Sequence, residues 1–468
     1  MIKKKILFGL VGSTLCLFVF IVILNLKYDN AVIIENEKSR TTVKNTNALT
    51  MMYETEANSG EYQVLDSDTW IQDGYIFNNE LSRCENGGTL SWNDETNKVI
   101  MQTNSSDKCY VYFDVYSVKY FNEKILEDNP TTLTRTDFSA PLTNDNTKTI
   151  YKVSGNWTED INGDGEGEVV YYFAGNALNN WVKFGKNEND EDLYWRIIRI
   201  NEDNSVRLLY SGTSPSTIEG YISLNYYFMS SSDVKFVGYM FGESGTLDNN
   251  RLNTNNSNIK SVVDEWYGNT FMVKNDLEGN LFNNYVSKTA IYCNDRVRTT
   301  EMQSYEWYYY GAYNRLYDNK HPSYKCGNDF SGNLFDNYSY LDKFSVSTTY
   351  GGNGDLIYPV ALITADEIAY AGGVYNIDAK AWYYYNSLGE SIIGDNYWWT
   401  MSPSYGSYAG YARVFSMNNA TLSDRNASSS AIRPVISLKS CVYWLSGDGS
   451  NSNPYEVYLD DNCSSVEN

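Results

Sequence analysis

Between Asp160 and Glu168 the chain reads Asp-Ile-Asn-Gly-Asp-Gly-Glu-Gly-Glu, which sets side-chain oxygens on Asp160, Asn162, Asp164, Glu166 and Glu168 at alternate positions. Hard oxygen donors spaced this way, with Gly165 permitting a sharp turn, are what a calcium shell with contacts of ~2.3–2.6 Å requires. Tyr171 stands at the twelfth position where an EF-hand carries its bidentate Glu, so the loop is no regular EF-hand. With Glu168 as ninth-position ligand it is comparable to weak extracellular calcium loops of ~10⁻⁴–10⁻³ M affinity. A solvated acidic turn is the alternative. Calcium is the one cofactor for which the sequence offers ligands.

Stacking is the second chemistry on offer. Tyr305, Trp307, Tyr308, Tyr309, Tyr310 and Tyr313 crowd together, and Trp382-Tyr383-Tyr384-Tyr385 and Trp398-Trp399 follow. Flat rings with polar edges suit sugar faces and protein surfaces. The same residues build cores, because a strand buries alternate side chains. The first group, with Trp398 and Trp399, is the candidate ligand-binding set.

Catalytic signatures are sparse. His321 is the only histidine and sits beside Pro322 as a loop residue, so the chain has no multi-histidine metal site and no machinery built on several histidines. No G-x-S-x-G, P-loop or G-x-G-x-x-G is present. Asp366 and Glu367 are adjacent in a helix first turn, where capping accounts for them. A carboxylate pair for glycoside hydrolysis is defined by spatial separation, which sequence does not display. No catalytic residue is assigned.

Charge narrows the partners. Lys+Arg number 36 and Asp+Glu 58, a net charge of −22, which repels a nucleic-acid polyanion over most of the surface. At 42% hydrophobic and 15% aromatic residues the chain has the means to fold, and its 468 residues leave room for two or three domains.

The elements that must position these residues begin at a membrane. Lys3-Lys4-Lys5 precede an uncharged run from Ile6 to Leu26, which at ~1.5 Å per residue reaches about 31 Å, the thickness of a hydrocarbon core. The run lacks an A-x-A cleavage pattern. The expected organisation is a cytoplasmic stub at 1–5, a transmembrane signal anchor at 6–26 and, by the positive-inside rule, everything beyond it outside the cell. A cleaved signal peptide is the alternative and exports the body equally. Cys16 lies in the apolar run, while Cys84, Cys109, Cys293, Cys326, Cys441 and Cys463 form an even set suited to an oxidising compartment. Sequential pairing is expected, with free buried thiols as the alternative.

Residues 27–68 read as a polar stalk and 69–120 as a small β-sandwich module of short alternating strands closed by Cys84–Cys109. A linker spans 121–155, the main domain 156–440 and a disulfide-closed tail 441–468. In the main domain Leu193–Ile200 and Val206–Tyr210 flank the turn Asn201–Asn204 as a hairpin. Asn258–Tyr267 carries a helical stripe ending at Gly268, and Thr364 with Glu367 forms a capping box, with Ile363 against Ile368 as staple. Strand-like blocks return at Tyr397–Met401, Ala412–Met417 and Ile432–Leu438. Two short helices among many strands predict an α+β domain.

The blocks Trp181–Phe184, Tyr194–Asn201, Val237–Met240, Trp399–Pro403 and Ile432–Val435 together resemble a family of uncharacterised extracellular domains of Gram-positive gut bacteria, over about residues 165–440. Their closing pattern, an aromatic-x-x-Ser-Pro strand, a hairpin and Arg-Pro-Val, is similar to the C-type-lectin-like fold shared by formylglycine-generating enzymes and bacterial ligand binders. The resemblance implies a C-type-lectin-like main domain and no assigned activity. Formylglycine-type chemistry would need a paired-cysteine site, for which Cys293 and Cys326 are available, with a structural disulfide the preferred role. The expected function is recognition or adhesion, to a glycan or a protein, by a membrane-anchored surface protein. A cell-envelope hydrolase working through carboxylates and a purely architectural envelope protein are the alternatives.

Overall fold

The computed structural model describes residues 48–56, 59–65, 75–93, 98–103, 106–115, 119–229, 236–242, 253–297, 307–333, 342–347, 354–407, 411–418, 420–426, 429–459 and 463. The anchor expected at 6–26 lies outside them; among the described residues no helix is long and apolar enough to cross a membrane. The chain divides into two compact units, Met1–Val118 and Lys119–Asn468.

The first unit pairs strands in the order Tyr62–Val64, Ala48–Glu54, Lys108–Val115, Tyr75–Cys84, beside a hairpin of Thr89–Asn93 and Lys98–Gln102. Two of these strands come from the stretch assigned to the stalk. Ala48–Glu54 runs parallel to Lys108–Val115, a pairing between segments remote in sequence that local patterning does not announce. Trp92 of the hairpin stacks 6.2 Å from Phe77 and meets Phe113 edge-on at 5.6 Å, so the hairpin packs its rings against the sheet. Cys84 and Cys109 are register partners and disulfide-bonded.

The second unit overturns the expected α+β, C-type-lectin-like architecture. The structure is mostly β, with 42% strand against 13% helix, distributed over many sheets. The two helices the sequence shows are present as Asn258–Thr270 and Ala365–Tyr370, and Phe121–Asp128 and the short turns Gly311–Tyr313 and Asn314–Asp318 add a little more, but most of the described chain is short strands that find distant partners. The main sheet orders Ala361–Leu362, Pro434–Leu438, Val206–Tyr210, Asp192–Ile200, Val170–Tyr172, Thr149–Val153 and Thr131–Thr134, with Trp181–Lys186 also on Asp192–Ile200. The last two strands and the Phe121–Asp128 helix occupy the expected linker. A six-stranded sheet holds Ser223–Tyr227, Ser429–Ile432, Trp398–Ser407, Tyr411–Asn418 and Thr421–Asn426, with Trp307–Tyr309 on Trp398–Ser407. The block Ile432–Leu438 is therefore two strands in two sheets that part at Arg433.

The hairpin forms as its sequence predicts, with Asn204 in the left-handed region at φ 64° in the turn. A register shift between Ile197 and Arg199 re-aims the strand there. Ser257 caps Asn258–Thr270 by accepting from the Lys260 amide, and the helix continues two residues past the expected Gly268 stop. The Thr364–Glu367 capping box is present, and Ile363 and Ile368 are fully buried. Cys293–Cys326 and Cys441–Cys463 are both bonded, completing the sequential pairing.

Candidate functional site

The acidic loop turns its oxygens on itself. Asp160 accepts from the Gly163 and Gly165 amides at 2.6 and 2.9 Å, and Glu168 from the Ile161 and Asn162 amides at 2.8 and 3.0 Å. Asn162 and Asp164 each accept from an amide two residues on. Gly163 and Gly165 take φ of 80° and 95°, which glycine alone adopts freely. Among the described residues, the one place where three Cys, His or carboxylate ligand atoms gather within 4.8 Å is Cys84, Asp107 and Cys109, and there the two sulfurs are spent on a disulfide. The side chains of Asp160, Asn162, Asp164 and Glu168 thus hold a hydrogen-bonded turn, and no three of the loop's carboxylates bring oxygens within 4.8 Å of one another.

The aromatic candidates separate sharply. Trp398 and Trp399 are fully buried and Tyr310 is 1% exposed, so these three are core. Residue type marks them as candidates, but Trp398 and Trp399 lie in a strand buried on both sheet faces and Tyr310 is enclosed just past the end of Trp307–Tyr309. Tyr305 lies outside the described residues, and Trp307 and Tyr308 are placed by strand pairing alone, opposite Ser407 and Gly406. Tyr309 and Tyr313 do come together, and they recruit rings the sequence did not flag. Tyr309 lies 4.7 Å from Tyr313, Tyr313 lies 4.8 Å from Tyr317, and Tyr375 and Tyr405 close the group at 5.3 Å from Tyr317 and Tyr313 respectively. Tyr313 and Tyr317, four positions apart where the short helix Gly311–Tyr313 passes into the π-turn Asn314–Asp318, lie on one face, and Tyr309 meets Tyr313 from the end of the strand Trp307–Tyr309. Tyr317 is exposed, Tyr309, Tyr313 and Tyr405 half-buried and Tyr375 buried. Arg413 lies over Tyr405 at 5.1 Å and pairs with Asp424, to which Tyr375 donates its hydroxyl proton. Burial raises Tyr313 and Tyr375 above the ordinary 10.0, so both keep their phenolic proton.

The same short segment faces inward through Arg315, which opens a site absent from the sequence-level candidates. A cavity of about 250 Å³ is walled by Arg199, Arg207 and Arg315 and by Glu159, Glu202, Asp203, Asp295, Asp366 and Glu367, with the Cys293–Cys326 disulfide beside them. Arg199 and Arg207 are directly opposed across the hairpin, a repulsive register for like charges. Glu367 answers it: its Oε1 accepts from Arg199 at 3.2 Å and Arg207 at 2.8 Å, while Oε2 accepts from the Thr364 amide at 2.9 Å. Burial by itself would raise the Glu367 carboxyl, but the two guanidinium groups outweigh it and hold it below the ordinary 4.5. Arg315 donates to Asp366 at 2.7 Å twice and to Asp295 at 2.5 Å. Asp295 is pushed the other way, above 3.8, by burial first and by Asp366 and Asp342 next, against the pull of Arg315. One side-chain oxygen each of Asn201, Asp295 and Tyr324, residues that line the cavity, is buried within the protein and has no hydrogen-bond partner.

Capping explains Asp366 and Glu367 only in part; their main partners come from other elements. The missed residues did leave a signal. Arg196 and Arg199 interrupt the apolar run Trp195–Ile200, Arg207 interrupts Val206–Tyr210, and an arginine inside a buried strand must find partners. Not all of them find carboxylates: Arg433, fully buried, donates to the Tyr210 and Tyr383 carbonyls and lies 4.6 Å over Trp398. His321 stacks on Trp157 at 3.6 Å, and burial lowers its pKa below 6.5, so it is a neutral packing residue.

No family model, curated protein or solved structure matches the chain.

Proposed function

We propose that this chain is a membrane-anchored extracellular recognition protein whose tyrosine strip, Tyr309, Tyr313, Tyr317 and Tyr405, binds a glycan. The observation that carries it is the ladder of rings at 4.7 and 4.8 Å spacing, half open to solvent, beside a fixed Arg413–Asp424 pair. Such a ladder offers apolar ring surface and a row of phenolic hydroxyls that can donate along an extended sugar chain, while the ion pair marks one end. Three disulfides support an oxidising, extracellular setting, and the apolar run from Ile6 to Leu26 supports the anchor. The hydrolase alternative gains nothing from Asp366 and Glu367, because both oxygens of each are already engaged by arginines or backbone amides.

The test is a glycan and host-protein array probed with the purified chain, with calcium and with chelator, followed by calorimetry on the best glycan with Tyr317→Ala. Saturable glycan binding lost in the variant is expected. Binding to proteins alone would move the strip to protein recognition. A silent array together with turnover of peptidoglycan or oligosaccharide would replace the reading with a hydrolase.

A further inference from the structure

The innermost ring of the tyrosine group is placed to give up a proton. Tyr375 is 8% exposed and donates its hydroxyl to Oδ2 of Asp424, whose side chain is 4% exposed and whose Oδ1 accepts from Arg413. A phenol that loses an electron becomes a strong acid, so a phenol already hydrogen-bonded to a carboxylate has the acceptor for its proton in position. Before oxidation, burial first and that hydrogen bond next raise Tyr375 above the ordinary 10.0 and keep the proton on its oxygen.

A path of rings joins this phenol to solvent. Between ring centroids Tyr375 lies 5.3 Å from Tyr317 and 6.0 Å from Tyr313, and Tyr313 lies 4.8 Å from Tyr317. Tyr317 is 45% exposed. Two other buried tyrosines that bond to carboxylates are differently surrounded. Tyr285 donates to Asp276 and Tyr455 to Asp128, but Tyr285 packs on Phe184 and Phe282 and Tyr455 on Phe121, rings too hard to oxidise to pass an electron.

We infer that the tyrosine group is a site of one-electron oxidation, in which an oxidant of the peroxidase or phenoxyl-radical class meets Tyr317 at the surface and the oxidised state comes to rest on Tyr375. One electron leaves Tyr375 through Tyr317 and reduces the oxidant. The O–H bond of Tyr375 breaks, its proton forms an O–H bond on Oδ2 of Asp424, and Tyr375 is left as a neutral phenoxyl radical. The positive charge then left over is that of Arg413, which at 34% exposure stays hydrated. An electron returned by a thiol or ascorbate-type reductant, with the proton from Asp424, restores the phenol. The group thus holds an oxidising equivalent on one phenol, and it does so whether or not a glycan binds the open rings.

Flash photo-oxidation of the full-length protein with a ruthenium polypyridyl sensitiser and persulfate, read by freeze-quenched electron paramagnetic resonance, tests it. A dominant tyrosyl radical is expected, formed more slowly in heavy water and lost in Tyr375→Phe, which removes one oxygen and keeps the ring. Asp424→Asn removes the proton acceptor and is expected to slow radical formation about a hundred-fold. Tyr317→Phe, at an exposed position where folding is not at risk, is expected to lower the yield on Tyr375. If either buried variant fails to fold, the heavy-water effect and Tyr317→Phe decide. A signal that survives Tyr375→Phe, a rate indifferent to heavy water, or a yield unchanged in Tyr317→Phe would overturn the inference.

Discussion

One helical segment serves two regions built on opposite principles. From residues 311–318, Tyr313 and Tyr317 join the solvent-facing ring ladder, while Arg315 turns into the charged cavity and braces Asp295 and Asp366. In the ladder Tyr309, Tyr313, Tyr317 and Tyr405 keep access to water, so losing one of them removes local contact and leaves no stranded charge. In the cavity Arg315, Asp295, Asp366 and Glu367 are each buried against a partner, so losing one leaves the other buried and unpaired. The first region should therefore tolerate change and show it in binding, and the second should register change in stability.

The largest test of that contrast is Arg315→Met. It strands Asp295 and Asp366 and is expected to cost about 3–5 kcal/mol in urea unfolding. A cost near zero would mean that the cavity is wet and the contrast false. Next is Glu367→Gln, which keeps the shape of the hub while leaving Arg199 and Arg207 opposed, for an expected loss of about 1.5–3 kcal/mol near neutral pH. Its pH dependence sharpens the point. The folded pKa of Glu367 is depressed, so its contribution is fully present above the unfolded value near 4.5 and is lost as pH falls through the folded value. The native chain should lose stability on acidification below about 4.5 faster than the variant. Asp295 has the opposite sign, stabilising only when protonated and losing that as pH rises through its raised value, which blunts the acid loss without reversing it.

Smaller still is Tyr317→Ala, where exposure limits the stability cost to about 0.5 kcal/mol while glycan affinity falls. A stability loss as large as that of Arg315→Met would erase the distinction between the regions. Smallest is calcium: with the acidic loop closed by its own amide bonds, adding calcium is expected to leave the melting temperature unchanged, and a clear upward shift would show that the loop opens to ligate.

Local features were legible because they are encoded by neighbours in sequence. The Asn201–Asn204 turn with its two strands, the Thr364–Glu367 capping box and the start of the Asn258 helix all follow from side chains within a few positions of one another. The ladder was half legible: Tyr309 and Tyr313 stand out, but Tyr375 and Tyr405 arrive from other elements. The α+β expectation failed for the same reason. Strands such as Ala48–Glu54, and the change of sheet at Arg433, are defined by partners far along the chain.

What the sequence determined by itself is chemical inventory and local geometry: the excess of acidic residues, the even set of cysteines beyond the apolar run, the turns, caps and individual strands. What only the tertiary structure decided is which charges meet. Glu367 lies 168 positions from Arg199 and Arg315 lies 51 from Asp366, separations over which no periodicity carries information. Pairing at that range is selected by the cost of leaving any one of these groups buried alone, a cost that exists only after the sheets have closed around them.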